Sequence, residues 1–332
     1  MKSVLVISGS PRPKGNTRKV LRLVEEELSR RGDVAFEHIS LGSLHIETCR
    51  GCLKCMRRHE ARCPCHDDLL GLRDKMLAAD AVIFASPVYV HTVTALMKNL
   101  FDRLAFHCHQ PAFHDVSALL VTTSELTGAR ETLDYMRFVC FTWGFRIAGE
   151  LGVVYPSFVA GGRYRAQAEA HIERAAASLW DSMTTPRPSP SLKELAFFHL
   201  MRTKVTLHRD VLPRDYEVWQ ERGWLESDYF TDVAVPRWRS LLARALVRLR
   251  VRAILREAGI EASALSTSGS SGRRRRSAHD EHRDVQPMTD GVHGLAQQDV
   301  AEQTVAVGPH HEQVDLVRRG EAGQLGHGVA MG

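Results

Sequence analysis

The sequence of 332 residues lacks any long uninterrupted apolar run. A membrane-spanning helix would need about 18 or more such residues, so no spanning segment is expected. The first apolar run covers only residues 4–7 and leads directly into Gly9, Pro11 and Arg12. Because this run is too short for a signal peptide, we expect a cytoplasmic protein.

A strong charge of one sign is also missing, since the net charge is only +5 and is unevenly distributed. We therefore expect no nucleic-acid partner. Residues 236–256 are an exception, because they contain seven arginines and no acidic residue. Arginines recur there at every fourth position beside Trp238 and several leucines. This pattern is compatible with weak contact to an anionic membrane surface, with an acidic partner, or with packing on the protein's own domain.

Aromatic residues are absent after Trp238. From about residue 262 the chain is rich in Gly, Ser, Gln, His and Arg, and we expect residues 262–332 to be disordered. Three prolines between residues 186 and 190 mark an earlier change of composition, after which residues 191–258 are predicted to form a helical extension. We interpret the aromatic cluster of this extension as a surface for assembly. The cluster consists of Tyr216, Trp219, Trp224, Tyr229 and Phe230.

Predicted strands and helices alternate through the first half of the chain. The predicted strands are residues 4–8, 34–39, 81–85, 118–122 and 145–154. The predicted helices are residues 16–31, 67–76 (capped by Asp67 and Asp68), 92–106, 129–143 and 164–183. Such alternation predicts an α/β fold, a flavodoxin-like doubly wound sheet of five parallel strands in the order 2-1-3-4-5, over residues 1–185. In that order a ligand binds between the carboxyl ends of strands 1 and 3.

The loop after strand 1 has the composition of an anion site. It runs from Gly9 to Thr17 and opens a helix, so backbone N–H groups and the positive helix end point at one place. Short donors and one charged donor are available there: Ser10, Arg12, Asn16 and Thr17. The loop lacks both the P-loop Gly-Lys-Ser/Thr and the dinucleotide Gly-x-Gly-x-x-Gly patterns. A monophosphate such as that of FMN fits it best, the alternative being an ordinary turn.

Two further loops follow strands 3 and 4 at the same edge of the predicted sheet. In the first, Pro87 rigidifies the turn, the backbone amides around Val88 can hydrogen-bond a flavin edge, and Tyr89 can cover a ring face. The alternative is a core-capping tyrosine beside a structural proline. In the second loop, Thr123, Ser124 and Gly128 can contact the same ring, mainly through backbone groups.

Five of the seven cysteines fall between residues 49 and 65, which favours metal or redox use over a disulfide framework. They are Cys49, Cys52, Cys55, Cys63 and Cys65. Two-residue gaps are typical of iron–sulfur ligation, so a [4Fe–4S] cluster with Cys63 or Cys65 as fourth ligand is one hypothesis. Reduced cysteines without metal and a zinc site are the alternatives. Nearby basic residues, including Arg50 and Arg57, are expected to lower the thiol pKa values.

These motifs resemble the NADPH-dependent FMN reductase family, a flavodoxin-like family. The resemblance lies in Gly-Ser-Pro-Arg with Gly-Asn-Thr, in Asp67-Asp68, in Ser-Pro-Val-Tyr from residue 86, and in residues 98–103, and it covers about residues 1–160. The cysteine motif is similar to that of the iron-sulfur flavoproteins, a branch of this family. The resemblance implies that Ser10, Arg12, Asn16 and Thr17 bind the FMN phosphate. It also implies that Pro87, Val88 and Tyr89 line the isoalloxazine, and it makes residues 45–66 a cysteine-rich insertion in the FMN-binding domain.

The expected function is flavin-dependent oxidoreduction, either as an NAD(P)H-dependent FMN or quinone reductase or as an iron-sulfur flavoprotein in electron transfer. The flavin carries the chemistry, so no catalytic side chain is predicted. NAD(P)H is the expected donor, and the acceptor is a small molecule or a redox protein. Relatives imply a homo-oligomer. The alternatives are a non-catalytic flavin-binding electron carrier and a zinc-stapled interaction protein.

Overall fold

The computed structural model describes residues 1–154 and 162–257, and for residues 162–164 it describes the backbone only. All of these residues lie in one compact unit, Met1–Gly269. Five parallel strands form one sheet in the order β2-β1-β3-β4-β5. The strands are β1 (Lys2–Ser8), β2 (Val34–Ser40), β3 (Ala81–Pro87), β4 (Ser117–Ser124) and β5 (Arg146–Val154). The predicted flavodoxin-like sheet is therefore confirmed.

The central strands are apolar on both faces, as parallel strands covered by helices must be. In β1, Leu5 and Ile7 enter one apolar cluster, while Val4 and Val6 enter the other. This division follows from the two-residue period of a strand. The sheet therefore separates two cores.

Helices cover both faces of the sheet. The first core contains side chains of α3 (Leu69–Ala78), α4 (Ala95–Arg103) and α5 (Ala129–Thr142). The second contains side chains of α1 (Asn16–Ser29) and α6 (Gly162–Thr184). A further short helix, α2 (Lys54–Arg57), lies in the loop between β2 and α3.

Three helix starts differ from prediction, since the helices expected from residues 67, 92 and 164 begin at Leu69, Ala95 and Gly162. The helix expected over residues 92–106 begins at Ala95, because Thr94 is its N-cap and its hydroxyl accepts from Met97 N at 3.3 Å. It ends at Arg103 and is followed by a 3₁₀ turn, Ala105–Cys108. The side chain of Asp68 does not cap α3 as predicted, since it accepts from the backbone N–H of His45 instead.

The predicted helical extension is present and has a core of its own. It consists of α7 (Leu192–Leu207), α8 (Pro213–Glu221) and α9 (Arg237–Glu257). The five aromatic residues of the cluster pack within this core. Trp219 is fully buried, so interpreting the cluster as an assembly surface was wrong. The predicted disordered tail lies outside the described residues.

Among the helices that the structure describes, none combines the length and apolarity that a bilayer-spanning segment needs.

Candidate functional site

The loop between β1 and α1 is held against α4. The carbonyl of Gly9 accepts from the Thr94 hydroxyl at 2.8 Å, and Gly9 N donates to Ala85 O at 2.8 Å. A Cβ atom at position 9 would lie 2.9 Å from Thr94 Oγ1 and 3.0 Å from Met97 Cβ. Glycine is therefore required where this loop crosses the helix.

Within this loop, Ser10 organises the backbone. Its buried hydroxyl accepts from Arg12 N at 3.2 Å and donates to Arg12 O at 3.3 Å, while Gly15 N donates to Arg12 O at 3.1 Å. Gly15 is the N-cap of α1 and provides no side-chain cap. Asn16 is half-buried and the Arg12 side chain is exposed beside it. The loop thus surrounds the N-terminal end of α1, where no side chain caps the first backbone N–H groups. Such N–H groups are available to bind an anion, which is what the sequence predicts for this loop.

The loop after β3 forms a tight two-residue turn. Tyr89 and Thr92 pair in an antiparallel bridge, with Tyr89 N donating to Thr92 O at 2.8 Å and Thr92 N to Tyr89 O at 3.1 Å. The two central residues have positive φ, 49° for Val90 and 60° for His91. A β-branched residue in this region is strained, and such strain clusters at functional sites.

Hydrogen bonds tie this loop to the end of β4. Val88 N donates to Thr123 O at 2.8 Å, and the Thr122 hydroxyl donates to Ser86 O at 2.8 Å. The amides of Val88 and Tyr89 are therefore satisfied within the protein, and flavin contacts stay a prediction for the other backbone amides of this loop. Pro87 and Val88 are half-buried beside them, and Tyr89 is exposed.

The loop after β4 brings the predicted residues together. The hydroxyls of Thr17 and Thr123 share a buried hydrogen bond of 2.8 Å, which links the first and third loops. Gly128 has φ of 86°, and a Cβ there would lie 2.7 Å from Val88 Cγ1. Ser124 is buried, and its hydroxyl has no hydrogen-bond partner among the described residues.

The base of the cysteine-rich loop is closed by two aspartates. Asp67 Oδ2 accepts from Glu47 N at 2.8 Å. Asp68 Oδ2 accepts from His45 N at 2.8 Å, and Asp68 N donates to His45 O at 3.0 Å. The two ends of the loop are therefore pinned together at the boundaries predicted for the insertion.

Arg103 anchors this base to α4. It forms a bidentate ion pair with Asp67, in which Nη1 donates to Oδ2 at 2.5 Å and Nη2 donates to Oδ1 at 3.3 Å. Both side chains are only 2% exposed. It also donates to Glu47 O at 2.7 Å and contacts Cys63 Sγ at 3.8 Å. Burial raises the pKa of Asp67, but Arg103 and the amides of Glu47 and Leu69 outweigh it, so the pKa lies below its ordinary value. A buried cation thus stands beside the cysteines.

The five cysteines differ in exposure. Cys49 and Cys52 are exposed, Cys55 and Cys63 are half-buried, and Cys65 is buried. Burial, with the charges of Cys63 and Cys49, raises the pKa of the Cys55 thiol to about 11. The pKa of Cys65 also rises, chiefly through burial and against the charge of Arg103. For these two thiols the predicted lowering of the pKa by basic neighbours is wrong.

In the described residues, no three cysteine, histidine or acidic side chains are arranged to hold a metal ion. The charges of Cys49 and Cys63 nevertheless help to raise the pKa of Cys55, and the charge of Cys63 helps to raise the pKa of Cys65. All five are free thiols, which is the donor chemistry that an iron–sulfur cluster uses. The donor chemistry of the set therefore suits a cluster, although the described arrangement does not bring three of the donors together.

Three contributors to the site were not predicted from the sequence. Thr94 positions the first loop, and Asn99 donates to Ile46 O at 3.0 Å, beside the Arg103 anchor. Thr94 carries a usable signal, since a threonine immediately before an apolar periodic segment is a typical N-cap. Asn99 and Arg103 lie within residues 98–103, which carry part of the family resemblance, but their partners are far away in sequence, so their roles were not predicted.

A sequence profile of the NADPH-dependent FMN reductases matches residues 2–158. This stretch includes the first three loops described above. It ends before the helical extension begins.

An iron-sulfur flavoprotein of Archaeoglobus fulgidus is 31% identical to this chain over 229 residues, which is 68% of this chain and 100% of that protein. An iron-sulfur flavoprotein of Methanocaldococcus jannaschii is 41% identical over 100 residues, 30% of this chain and 50% of that protein. One of Clostridioides difficile is 29% identical over 152 residues, 45% of this chain and 66% of that protein. The first match is longer than the stretch that the family profile covers.

Among solved structures, the chain is similar to an NADH:FMN oxidoreductase in its apo form, with 25% identity and a TM-score of 0.42 over 57% of this chain and 92% of that one. An NAD(P)H:quinone oxidoreductase from Methanothermobacter marburgensis has 20% identity and a TM-score of 0.43 over 56% of this chain and 99% of that one.

Proposed function

Because the chain belongs to the NADPH-dependent FMN reductase family, in its iron-sulfur flavoprotein branch, we propose that the loops after β1, β3 and β4 together bind one FMN. The chain is a flavin-dependent oxidoreductase by family. The loops lie at the carboxyl ends of three neighbouring strands, where doubly wound sheets bind their ligands. NAD(P)H as donor is part of the proposal, as are a small molecule or redox protein as acceptor and the cytoplasm as location.

The phosphate of FMN would be held by the first loop. The backbone amides at the start of α1 and the side chains of Ser10, Arg12 and Asn16 supply donors and positive charge. Thr17 already shares a hydrogen bond with Thr123, so its hydroxyl can donate to a phosphate oxygen only when Thr123 is the donor in that bond. Its main contribution is to keep the first and third loops in register.

The ring of FMN would lie against the second and third loops. Pro87, Val88 and Tyr89 offer apolar surface, while Thr123 and Gly128 fix the spacing between the loops. The observation that carries the proposal is the Ser124 hydroxyl, which is buried and has no partner in the described part of the chain. A buried hydroxyl without a partner is costly, and a ligand acceptor or donor would satisfy it.

When bound, FMN supplies hydride and single-electron chemistry that amino-acid side chains do not provide. The residues named above bind and orient it, and no side chain is assigned as nucleophile or general acid. The exposed turn at Val90 and His91 borders the site.

Titration of the protein with FMN, followed by quenching of flavin fluorescence, tests this proposal. Ser124→Ala should weaken binding about 2- to 12-fold, the loss expected for one hydrogen bond. Ser29→Ala is the matched control, because Ser29 is exposed on the last turn of α1 and donates only to Glu25 O. Absence of quenching in the unaltered protein would contradict FMN binding.

An iron–sulfur cluster on the cysteine-rich loop is the second part of the proposal. Cys49, Cys52 and Cys55 would supply three thiolates, and Cys63 or Cys65 the fourth. Arg103, beside Cys63 and Cys65, would offset part of the negative charge of a thiolate-bound cluster. Such a cluster passes single electrons to and from its surroundings.

Anaerobic purification with analysis of iron, sulfide and zinc distinguishes the three hypotheses for this loop, which are an iron–sulfur cluster, a zinc site and thiols without metal. Iron and sulfide in equal amounts, lost in Cys52→Ala and retained in Cys108→Ala, would support the cluster. Zinc without sulfide would favour the interaction protein, and thiols without metal would leave a reductase that uses FMN alone.

An NAD(P)H oxidation assay with the FMN-loaded protein separates enzyme from carrier. Turnover with quinones, free flavin or an iron–sulfur protein as acceptor is expected for an enzyme. Bound FMN without turnover for any donor and acceptor pair would identify a non-catalytic carrier. Light scattering of the same sample measures the oligomeric state, for which a homo-oligomer stays the prediction.

A further inference from the structure

Helix α9 has two apolar sides, and only one of them is covered in the described structure. Ser240, Ala243 and Val247 recur at three- and four-residue spacing and are buried where α9 packs against α7. Ala243 belongs to the core of the extension with Phe198. This inner side explains why the helix is part of the extension.

The opposite side of α9 carries a continuous apolar stripe, which we call the outer stripe. It consists of Trp238, Leu241, Leu242, Leu246 and Leu249. Trp238, Leu241 and Leu249 are 62, 66 and 63% exposed. Single exposed apolar residues are ordinary on a protein surface, whereas a contiguous apolar patch marks a binding surface.

Arginines border the outer stripe. At about 100° per residue, Arg244 and Arg248 lie along one edge, and Arg239 and Arg250 along the other. Arg244 pairs with Asp228, and the Arg239 guanidinium lies 5.3 Å from the centre of the Trp238 ring. Residues 236–256 themselves contain no acidic residue.

From this arrangement we infer that the outer stripe of α9 is a docking surface for an anionic phospholipid membrane. An apolar strip flanked by arginines suits a helix lying in the plane of the headgroups. The leucines enter the acyl boundary, and the long basic side chains reach up to the phosphates. Trp238 at the start of the helix is the residue type that prefers this interface.

Charge complementarity favours lipid over a second copy of the chain. Two outer stripes packed face to face would bring the arginines that border the stripe of each copy together, at a cost from repulsion. An anionic bilayer has the opposite charge, and each arginine near its surface adds to binding. The surface also lies outside the flavin site, so it adds membrane attachment to the proposed reaction.

Sedimentation of the full-length protein with lipid vesicles tests this inference. The protein should bind vesicles that contain phosphatidylglycerol and phosphatidylcholine, bind pure phosphatidylcholine much more weakly, and release at high salt. The double variant Leu241→Glu with Leu249→Glu should lower the vesicle partition coefficient at least about tenfold. Arg248→Glu with Arg252→Glu should lower it about tenfold or more.

A control variant replaces two exposed apolar residues elsewhere. Leu207→Glu with Val211→Glu alters side chains that are each 41% exposed outside the outer stripe, and partition should stay unchanged. Circular dichroism of every variant checks that the fold is retained.

The inference is overturned if the unaltered protein does not bind anionic vesicles, if pure phosphatidylcholine vesicles bind it equally well, or if both glutamate variants on α9 still bind. Light scattering that shows the Leu241 and Leu249 variant losing a dimer, without any vesicle binding, would assign the stripe to a second copy instead.

Discussion

At the residue scale, the ion pair between Arg103 and Asp67 is the buried charged interaction that holds the base of the cysteine-rich loop. Both side chains are almost completely buried, and Asp67 also accepts from two backbone amides. A buried pair of this kind adds little over an apolar replacement, but removing one partner leaves a charge without compensation. The pair therefore makes the base of the cysteine-rich loop sensitive to single substitutions.

Arg103→Ala should lower the free energy of unfolding by about 3–5 kcal/mol, because Asp67 would stay buried without its cation. Urea denaturation followed by circular dichroism measures this. Lys98→Ala on the same helix is the control, since Lys98 pairs with Asp102 and both are about half exposed. Its effect should be at most about 1 kcal/mol. Equal effects of the two substitutions would show that burial of the Arg103 pair is unimportant.

At the element scale, the turn after β3 combines strain with exposure. Val90 is 96% exposed, so its side chain gains no packing in return for a φ of 49°. A two-residue turn with positive φ at both positions normally uses asparagine and glycine. The valine therefore weakens the turn that borders the candidate flavin site.

Val90→Asn should stabilise the protein by about 1 kcal/mol, because asparagine tolerates the left-handed region better than a β-branched residue. Thermal unfolding should show a higher midpoint. Leu126→Asn is the control, as Leu126 is an exposed loop residue that is not among the residues with positive φ. A lower midpoint for Val90→Asn would mean that the valine makes a contact in solution that offsets the strain.

At the scale of the whole molecule, the helical extension is joined to the α/β part through buried polar groups. Asp215 accepts from His109 Nδ1 and from Gln110 Nε2, both at 2.6 Å, and Trp219 Nε1 donates to His109 O at 2.6 Å. His114 stacks on Phe230 with ring centroids 4.6 Å apart. The extension is thus bonded to the loop that precedes β4, which makes their folding cooperative.

This junction should be sensitive to acid. Burial, with the nearby charge of Arg187, lowers the pKa of His114 to about 3 from its usual 6.5. The unfolded chain therefore binds a proton between these two values that the folded chain does not, so stability falls as the pH drops below 6.5.

His114→Phe removes this proton uptake while keeping a ring against Phe230. Between pH 7 and pH 5 the unaltered protein should lose about 2 kcal/mol more stability than the variant does. Urea denaturation at both pH values measures the difference. His45→Phe, at an exposed position, should retain the full loss. The same pH dependence in the unaltered protein and in His114→Phe would contradict a neutral buried His114.

The sequence alone predicted the sheet and most of the loops that form the candidate site. Apolar runs such as residues 81–85 predict a buried strand because both of its faces must be covered. Once five strands alternate with helices, the right-handed crossover leaves few possible orders. The positions of Ser10, Tyr89 and Ser124 after strand ends then place them at one edge of the sheet.

The contacts made by those residues were not predictable in the same way. Thr17 pairs with Thr123 across 106 positions of sequence, and Arg103 pairs with Asp67 across 36. The Val88 amide is satisfied by Thr123 O, and the aromatic cluster turned inward to form a core. Each of these outcomes depends on which side chains meet after packing.

What this sequence determined by itself is the order of its strands and helices, its clustered cysteines and the glycine-rich turn before α1. Local periodicity and spacing fix those features, because they reflect backbone geometry over a few residues. Only the tertiary structure decided that the Ser124 hydroxyl is buried with no partner among the residues that the structure describes, and that Arg103 lies beside Cys63. Burial and long-range pairing arise from the packing of distant segments, and no local pattern encodes them.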